Sequence, residues 1–307
     1  MSELSTAGEV LDGIDLTGRT ALVTGGYSGI GIEIVRALSG AGAHVLAPAR
    51  RPDKAAAVLA GIDRVEVGAL DLADQASVAA YAADVLAAGR ALDIVVNSAG
   101  VMACPETRVG DGWELQLATN HLGHYALVNR LWPAIGAGAR VVSVSSTGHH
   151  LSDFRWDDPW FEDGYDKWQA YGQSKTANVL FAVHLDALAR EQGVRAFSLH
   201  PGAILTPLGR HLQAEDLDAV MTLDEDGKPV LPDFRSPEQG AATAVWAATS
   251  PELDGRGGEY LEDCAIATVV PDGPQTTYGV RGYALDPDAA ARLWAWSADV
   301  TGVDAFE

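Results

Sequence analysis

The sequence at residues 24–31 reads Thr24-Gly25-Gly26-Tyr27-Ser28-Gly29-Ile30-Gly31. An apolar run, Ala21-Leu22-Val23, comes directly before it, and Ile30, Ile34 and Leu38 follow at the spacing of one helix face. A bound pyrophosphate needs close backbone approach and a helix N-terminus directed at it, and glycines permit both because they lack a Cβ. The segment therefore predicts a nucleotide-binding turn between a first strand and a first helix, with an ordinary tight turn as the alternative.

Short apolar, β-branched runs alternate with helical patterns on both sides of this turn. Several runs are apolar at nearly every position, which is typical of strands covered by helices on both faces. A parallel strand pair needs a crossover, and the crossover is normally a helix. The pattern predicts one α/β domain, a Rossmann-type doubly wound parallel sheet of about seven strands flanked by helices. Six of the strands are expected at 20–24, 44–47, 65–69, 94–97, 141–145 and 195–199.

Neither a repeat nor a low-complexity linker divides the chain, so residues 19–307 are expected to form one domain. Residues 1–18 are interpreted as an N-terminal tail, packed on the surface or frayed. Segments 147–170 and 207–235 interrupt the regular alternation and are interpreted as substrate loops. A C-terminal extension is expected from about residue 270.

Composition excludes several functional classes. The 307 residues carry 42 acidic and 21 basic side chains, a net charge of −21, which argues against a nucleic-acid partner. Cys104 and Cys264 lie far apart, and the His121/His124 and His149/His150 pairs lack further ligands, so no disulfide or metal site is predicted. There is no long apolar run and no targeting pattern near the N-terminus, so no membrane span and a cytoplasmic location are expected.

Further motifs occur in order along the chain: Asp71-Leu72, Asn97-Ser98-Ala99-Gly100, Asn120, Ser145-Ser146, Tyr171-Gly172-Gln173-Ser174-Lys175 and Pro201-Gly202. Together with the glycine turn, they resemble the TGxxxGIG turn and the other marks of the classical short-chain dehydrogenase/reductase family, over roughly residues 18–265. The segment 120–124, the run from Tyr171 to Phe181 and the long C-terminal part look most like the branch of retinol dehydrogenases and WW-domain oxidoreductases.

Tyr171 and Lys175 are four residues apart, so they share one face of a predicted helix. A phenol with a pKa of about 10 acts as a base near neutral pH only when a cation stabilises its phenolate, and Lys175 supplies one. The alternative is a surface Tyr and Lys on an amphipathic helix.

The resemblance implies an NAD(P)(H)-dependent oxidoreductase, an alcohol dehydrogenase or carbonyl reductase, that interconverts an alcohol and its ketone or aldehyde. It implies that Tyr171 exchanges a proton with the substrate oxygen and that Lys175 also binds the nicotinamide ribose. Asn120 would hold a water that joins Lys175 to solvent, or else be a polar residue in the helix interior that satisfies backbone groups. Of the two serines, the family pattern selects Ser146 to hydrogen-bond the substrate oxygen, which leaves Ser145 as a hydrogen bonder at the sheet end.

The residues at the end of the second predicted strand indicate which nicotinamide cofactor binds. Ala47-Pro48-Ala49-Arg50-Arg51 has no acidic residue for the ribose hydroxyls of NAD, whereas Arg50, assisted by Arg51, suits the 2′-phosphate of NADP. NADP(H) is therefore the expected cofactor, with NAD(H) as the alternative. The two arginines could also be an exposed loop pair without a role in binding. The predicted cofactor contacts are Gly25, Tyr27, Ser28, Gly29, Ile30, Gly31, Arg50, Arg51, Asp71, Leu72, Asn97, Ala99, Gly100, Tyr171, Lys175, Pro201, Gly202 and Thr206.

Other functions remain open at this point. A sugar-nucleotide epimerase or dehydratase also carries Tyr-x3-Lys, but the glycine turn of those proteins has a different spacing. A cofactor-binding regulator without catalysis would have the same fold. Trp156, Trp160 and Trp168 are expected to wall the pocket of a small-molecule alcohol or carbonyl substrate rather than to join the core. A homo-oligomer, dimer or tetramer, is also left open.

Overall fold

The computed structural model describes residues 5–213, 216, 222–223, 229–230, 234–273 and 276–307, so the predicted loop 207–235 lies partly outside the described residues. The described part is built on one central sheet of eight strands. These are β1 Thr20–Val23, β2 His44–Leu46, β3 Val65–Glu66, β4 Leu92–Asn97, β5 Ile135–Val144, β6 Arg195–His200, β7 Glu259–Glu262 and β8 Ala265–Ile266. Short two-residue strands pair outside the sheet: Arg108–Val109 with Trp113–Glu114, Thr222–Leu223 with Pro229–Val230, and Val269–Val270 with Val280–Arg281.

Among the described residues, helices lie before, between and after the strands. They are α1 Ala7–Val10, α2 Ile30–Gly40, α3 Pro52–Leu59, α4 Gln75–Ala87, α5 Leu115–Leu117, α6 Gly123–Leu131, α7 Lys167–Ala189, α8 Pro237–Thr249 and α9 Pro287–Thr301. Shorter 3₁₀ segments include Thr147–Leu151, Pro207–His211 and Gly282–Leu285.

The strand order is β8-β7-β6-β5-β4-β1-β2-β3, and every pair is parallel except β7 with β8. The chain winds outward in both directions from β1, which pairs with β2 on one side and β4 on the other. The crevice where the winding reverses is where open α/β sheets bind ligands. The doubly wound α/β fold predicted from the sequence is confirmed.

Apolar layers cover both faces of the sheet. On one face α2 and α8 pack with fully buried residues such as Ile34 and Val245, and on the other α4, α6 and α7 pack with residues such as Val78 and Leu127. Strands enclosed on both sides can be apolar at every position, as Ala21, Leu22 and Val23 are.

Some strand bounds differ from the predicted ones. Strand β3 ends at Glu66 rather than at residue 69, and only an isolated bridge joins Ala49 to Ala69 beyond it. In contrast, β5 begins at Ile135, six residues before its predicted start, because Ile135 pairs with Leu92 of β4 ahead of an irregularity, after which regular pairing resumes between Arg140 and Ile94. Strands β7 and β8 were not among the six expected positions.

The N-terminal residues join the core. Thr6 caps α1 through a reciprocal pair of bonds with Glu9, and this helix packs against α8. Ala7 and Val10 are 2% and 4% exposed, so the segment interpreted as a tail contributes buried apolar surface.

The C-terminal helix α9 packs along α7. Its Trp294 stacks on Phe181 with ring centroids 5.7 Å apart and meets Tyr125 of α6 edge-on at 4.9 Å. His121 lies within 2.8 Å of the Ser297 hydroxyl through its Nε2. The apolar face of α6 and α7 is thus covered by the same chain.

Two of the tryptophans expected to wall a substrate pocket also pack near α9. Trp160 lies 5.3 Å from Trp296, and Trp156 lies 4.6 Å from Phe154, both measured between ring centroids. The indole of Trp168 instead donates to Asp216 at 3.3 Å. Trp156 and Trp160 thus pack against a cluster that includes Ala290 and Leu293 of α9, and Trp168 does not.

Across the described residues, none of the helices combines the length and the apolar character needed to cross a bilayer. The same residues contain no group of three or more His, Cys, Asp or Glu side chains arranged to hold a metal ion.

Candidate active site

The glycine turn follows β1 and leads into α2. Gly25 and Gly29 adopt φ values of +69° and +54°, in the left-handed region that favours glycine. A Cβ on Gly25 would lie 2.9 Å from Ala99 Cα, and one on Gly31 would lie 2.3 Å from Gly25 O. No side chain caps the N-terminus of α2 at Gly29. The turn therefore leaves bare backbone and an uncapped helix start, as binding of a pyrophosphate requires.

The other predicted turn residues lie around this backbone. Ser28 O accepts a hydrogen bond from Gly31 N at 3.1 Å, while Tyr27 and Ile30 pack against the core beside α2. A Cβ on Gly29 would lie 3.1 Å from Thr206 Cβ, so the turn faces the segment after β6.

A buried network joins the end of β1 to the segment after β4. The Thr24 hydroxyl accepts hydrogen bonds from Ser98 N and Ala99 N, each at 3.0 Å, and lies 2.8 Å from His124 Nε2. His124 Nδ1 lies 2.9 Å from Asn120 O, which can only accept. Burial lowers the pKa of His124 to about 4, so the neutral ring donates to Asn120 O and accepts the Thr24 proton.

Asn120 lies in a wider, π-helical turn, Ala118–Leu122, between α5 and α6. Its Oδ1 accepts from Val101 N at 2.9 Å, and its Nδ2 donates to Val101 O at 3.0 Å and to Ser174 Oγ at 2.9 Å. Ser174 Oγ in turn donates to Tyr171 O at 2.7 Å. The Asn120 side chain therefore clamps the chain after β4 to α7.

Tyr171 and Lys175 lie on α7, whose N-terminus is capped by Asp166. Both are 4% exposed, and Lys175 Nζ lies 5.6 Å from the centroid of the Tyr171 ring. Nζ donates to Val144 O at 2.9 Å, and no carboxylate pairs with it among the described residues. The tyrosine and lysine are thus buried neighbours rather than a surface pair.

Burial dominates the pKa of both groups. It raises the pKa of Tyr171 to about 12, a rise that the hydrogen bond with Ser146 opposes, and it lowers the pKa of Lys175 to about 8. Each shift disfavours the charged form, as expected for groups removed from water. The Tyr171 pKa is therefore raised by burial, whereas Lys175 was expected from the sequence to lower it.

The two serines after β5 have different surroundings. Ser145 Oγ donates to Lys175 O at 2.8 Å, which ties the end of the sheet to α7. Ser146 is half-buried, and its Oγ accepts from Gly148 N at 3.0 Å and interacts with the Tyr171 phenol. Of the two serines, Ser146 is therefore the one that faces the Tyr171 phenol.

Several predicted residues adjoin this centre. A Cβ on Gly100 would lie 3.2 Å from Asn120 Oδ1 and 3.8 Å from Lys175 Nζ. Asn97 ends β4 and donates to Ser143 Oγ at 3.3 Å. The Pro201-Gly202 turn follows β6, and Gly202 packs against the side chain of Arg235.

The remaining predicted contacts lie toward β2 and β3. Asp71 accepts from Ala73 N at 3.0 Å, and Leu72 is buried where α6 passes close to it. Arg50 and Arg51 are exposed, and neither side chain has a hydrogen-bonding or ionic partner in the part of the chain described. They are not brought into contact with the Tyr171 centre.

Three residues of the site were not identified from the sequence: Thr24, His124 and Ser174. His124 was weighed only as a metal ligand, although its position four residues after Asn120 on a helix could have indicated a contact with that residue. Ser174 lies between Tyr171 and Lys175 but faces Asn120.

Comparisons with known proteins agree with this geometry. The model of the short chain dehydrogenase family matches residues 19–217. A Streptomyces lividans protein named "Probable oxidoreductase" is 48% identical over 93% of this chain and 98% of its own length. Retinol dehydrogenase 11 of Mus musculus is 32% identical over 98% of this chain and 92% of its own. A solved structure of an uncharacterized protein from Mycobacterium paratuberculosis has a TM-score of 0.74 and 32% identity, covering 95% of this chain and 96% of that one. The chain is therefore an oxidoreductase of the short-chain dehydrogenase/reductase family, similar to the retinol dehydrogenase-like branch.

Proposed function

We propose that this chain interconverts an alcohol and its aldehyde or ketone, with Tyr171 as the general acid and base. The observation that carries the proposal is the grouping of the buried Tyr171 and Lys175 with the half-buried Ser146 at the carboxyl ends of the central strands, beside a glycine turn with bare backbone. Such a grouping offers a proton donor, a hydrogen-bond donor and a cation around one reacting oxygen.

The residues present fit a nicotinamide dinucleotide. The close approaches at Gly25 and Gly31 leave no room for a Cβ, and the uncapped start of α2 offers amide groups to phosphate. When bound, the cofactor would donate or accept the hydride and, in its oxidised form, add positive charge beside the phenol. The glycine turn would hold its phosphates, Asp71 its adenine end, and Lys175 and Thr206 its nicotinamide end.

The protein residues supply proton transfer and hydrogen bonding to the substrate oxygen. In carbonyl reduction, the Tyr171 hydroxyl donates its proton to the substrate oxygen, and a pKa raised to about 12 keeps that proton in place at neutral pH. In alcohol oxidation, the Tyr171 phenolate accepts the proton. Because burial raises the pKa of the phenol, nearby positive charge is needed to stabilise the phenolate. Ser146 donates a hydrogen bond to the substrate oxygen as charge develops there.

Lys175 serves as that positive charge. Its pKa of about 8 keeps most of the side chain protonated at pH 7. Because the Asn120 side chain is committed to Val101 and Ser174, a water linking Lys175 to solvent would be held by Asn120 O rather than by the carboxamide.

NADP(H) is the cofactor we propose. Arg50 lies four residues after the end of β2, and Ala49 O accepts from Leu70 N at 3.0 Å, so Arg50 lies next to the segment that leads to Asp71. Its guanidinium is exposed without a protein partner among the described residues, and a planar fork of that kind suits a dianionic phosphate.

The test is a screen of aliphatic and aromatic alcohols, aldehydes and ketones with both cofactors, followed by Tyr171→Phe on the best pair. The variant should lower kcat by about 10²- to 10⁴-fold, because acid–base catalysis is typically worth that much. Cofactor Kd should stay within about threefold, since the ring still packs.

Tyr81→Phe is the matched control, because Tyr81 is also buried but lies on α4, away from the site. Its kcat should equal that of the wild type. A Tyr171→Phe variant with more than a tenth of wild-type kcat would refute the proposed role. Tight cofactor binding by the wild type without turnover of any substrate would favour a regulatory protein instead.

A further inference from the structure

His149 lies three residues after Ser146 and is fully buried. Its Nδ1 lies 2.7 Å from Ser146 O, and its Nε2 accepts a hydrogen bond from Arg281 N at 3.1 Å. A carbonyl oxygen can only accept and a backbone amide can only donate. The neutral imidazole with its proton on Nδ1 is therefore the one form that satisfies both neighbours.

The strand that His149 meets belongs to the segment after the central sheet. Arg281 ends Val280–Arg281, which pairs with Val269–Val270, and Tyr283 donates its hydroxyl proton to His149 O at 2.6 Å. The adjacent His150 lies within 3.1 Å of Gly279 O through Nε2. We call residues 269–285 the C-terminal strap, of which 274–275 lie outside the described residues. It meets the turn after Ser146 mainly through these two histidines.

We propose that His149 is a positioning residue that links Ser146 to the C-terminal strap and so aims the serine hydroxyl at the substrate oxygen, an inference that rests on the function proposed for Ser146. The imidazole holds Ser146 O on one side and the strap backbone on the other. On the catalytic side, Gly148 N donates to Ser146 Oγ, and a Cβ on Gly148 would lie 2.7 Å from the Tyr171 ring. A shift of this turn would therefore move the serine hydroxyl and the tyrosine ring relative to one another.

Two substitutions separate the halves of the link. His149→Asn places an amide N–H near the Nδ1 position, so it keeps the bond to Ser146 O and loses the one to Arg281 N. His149→Gln places an amide oxygen near the Nε2 position, so it keeps the strap bond and loses the side-chain bond to Ser146 O, which then keeps only the backbone donor His149 N at 3.0 Å. We expect His149→Gln to lower kcat about tenfold at unchanged cofactor Kd, because small misplacements of a reacting group are costly. His149→Asn should keep kcat within about threefold.

His150→Asn is the matched control. It removes a bond to the same strap but touches neither Ser146 nor Tyr171, so kcat should be that of the wild type. Equal kcat in the wild type and His149→Gln would overturn the proposal. A loss in His150→Asn as large as in His149→Gln would also overturn it, because integrity of the strap would then account for the effect.

Amide hydrogen exchange gives a readout that does not need a substrate. In His149→Gln, the Gly148 amide should exchange at least about tenfold faster than in the wild type, while the Arg281 amide stays protected. Unchanged exchange at Gly148 would overturn the link. A wild-type enzyme without hydride transfer to any substrate would contradict the proposed function, whereas the exchange result would still decide the role of His149.

Discussion

Replacing Lys175 by methionine should stabilise the fold while abolishing activity. The side chain is 4% exposed, and burial lowers its pKa from 10.5 to about 8. At about 1.4 kcal/mol per pKa unit, keeping the ammonium charged in the folded state costs roughly 3 kcal/mol below pH 8. Methionine fills a similar volume without charge. The lost bond to Val144 O costs about 1 kcal/mol, because Asn178 Nδ2 still donates to that oxygen at 3.1 Å.

The net gain at pH 7 is therefore about 2 kcal/mol. With an unfolding entropy of about 2.1 cal/mol/K per residue, Tm should rise by about 3 °C. The sign of the pH dependence follows from the lowered pKa. Between about pH 8 and 10.5, the unfolded lysine binds a proton that the folded one does not, so wild-type stability rises relative to the variant.

The measurement is urea unfolding of both proteins at pH 7 and at pH 9.5, with the m values compared. The variant should be the more stable at pH 7, and the gap should narrow at pH 9.5. A less stable variant at pH 7, or a gap that does not depend on pH, would show that burial of Lys175 carries no such cost.

Three other perturbations test separate parts of the structure. The kcat/KM for alcohol oxidation should rise between pH 6 and 8, where Lys175 stays largely protonated, because the fraction of Tyr171 phenolate grows with pH, while that for carbonyl reduction should stay level because a pKa raised to about 12 keeps the phenol protonated; a flat oxidation profile with chemistry rate-limiting would contradict the role of the phenol. Arg50→Asp should lower the ratio of kcat/KM for NADPH over NADH by at least about tenfold, because one charge-assisted bond contributes about 1.5–3 kcal/mol; an unchanged ratio would exclude Arg50 as the discriminating residue. Trp294→Ala should lower the free energy of unfolding by about 3–5 kcal/mol, since the indole packs on Phe181 and Tyr125, and a loss below about 1 kcal/mol in urea unfolding would count against that packing.

Local patterns were enough to predict the centre of the fold. Apolar runs such as Ala21-Leu22-Val23 indicate strands buried on both faces, and the glycine turn locates the first strand-to-helix junction. The residues at which strands begin and end were predicted less accurately, because strand pairing depends on the adjacent strands of the sheet. Glycines at 136 and 138 disfavour a strand locally, and residues 136–139 are unpaired with β4, yet β5 begins at Ile135 because Ile135 pairs with Leu92.

The arrangement of the site residues depends on tertiary contacts, which a local sequence pattern does not predict. The four-residue spacing of Tyr171 and Lys175 predicts a shared helix face, but not that both are removed from water. Burial raises one pKa and lowers the other, and its extent is set by tertiary packing. Likewise, His149 meets Arg281 across 132 residues of sequence. A single sequence gives no signal for such a pair.

The packing of α9 on α7 has a consequence for synthesis of the protein. Phe181 and Tyr125 are covered by Trp294, which follows Phe181 by more than a hundred residues. At about 5–20 residues per second, translation needs roughly 6–20 s to make that stretch of chain. During this interval the ribosome-bound chain presents an aromatic surface with its cover still to be made, which is the kind of surface that chaperones bind.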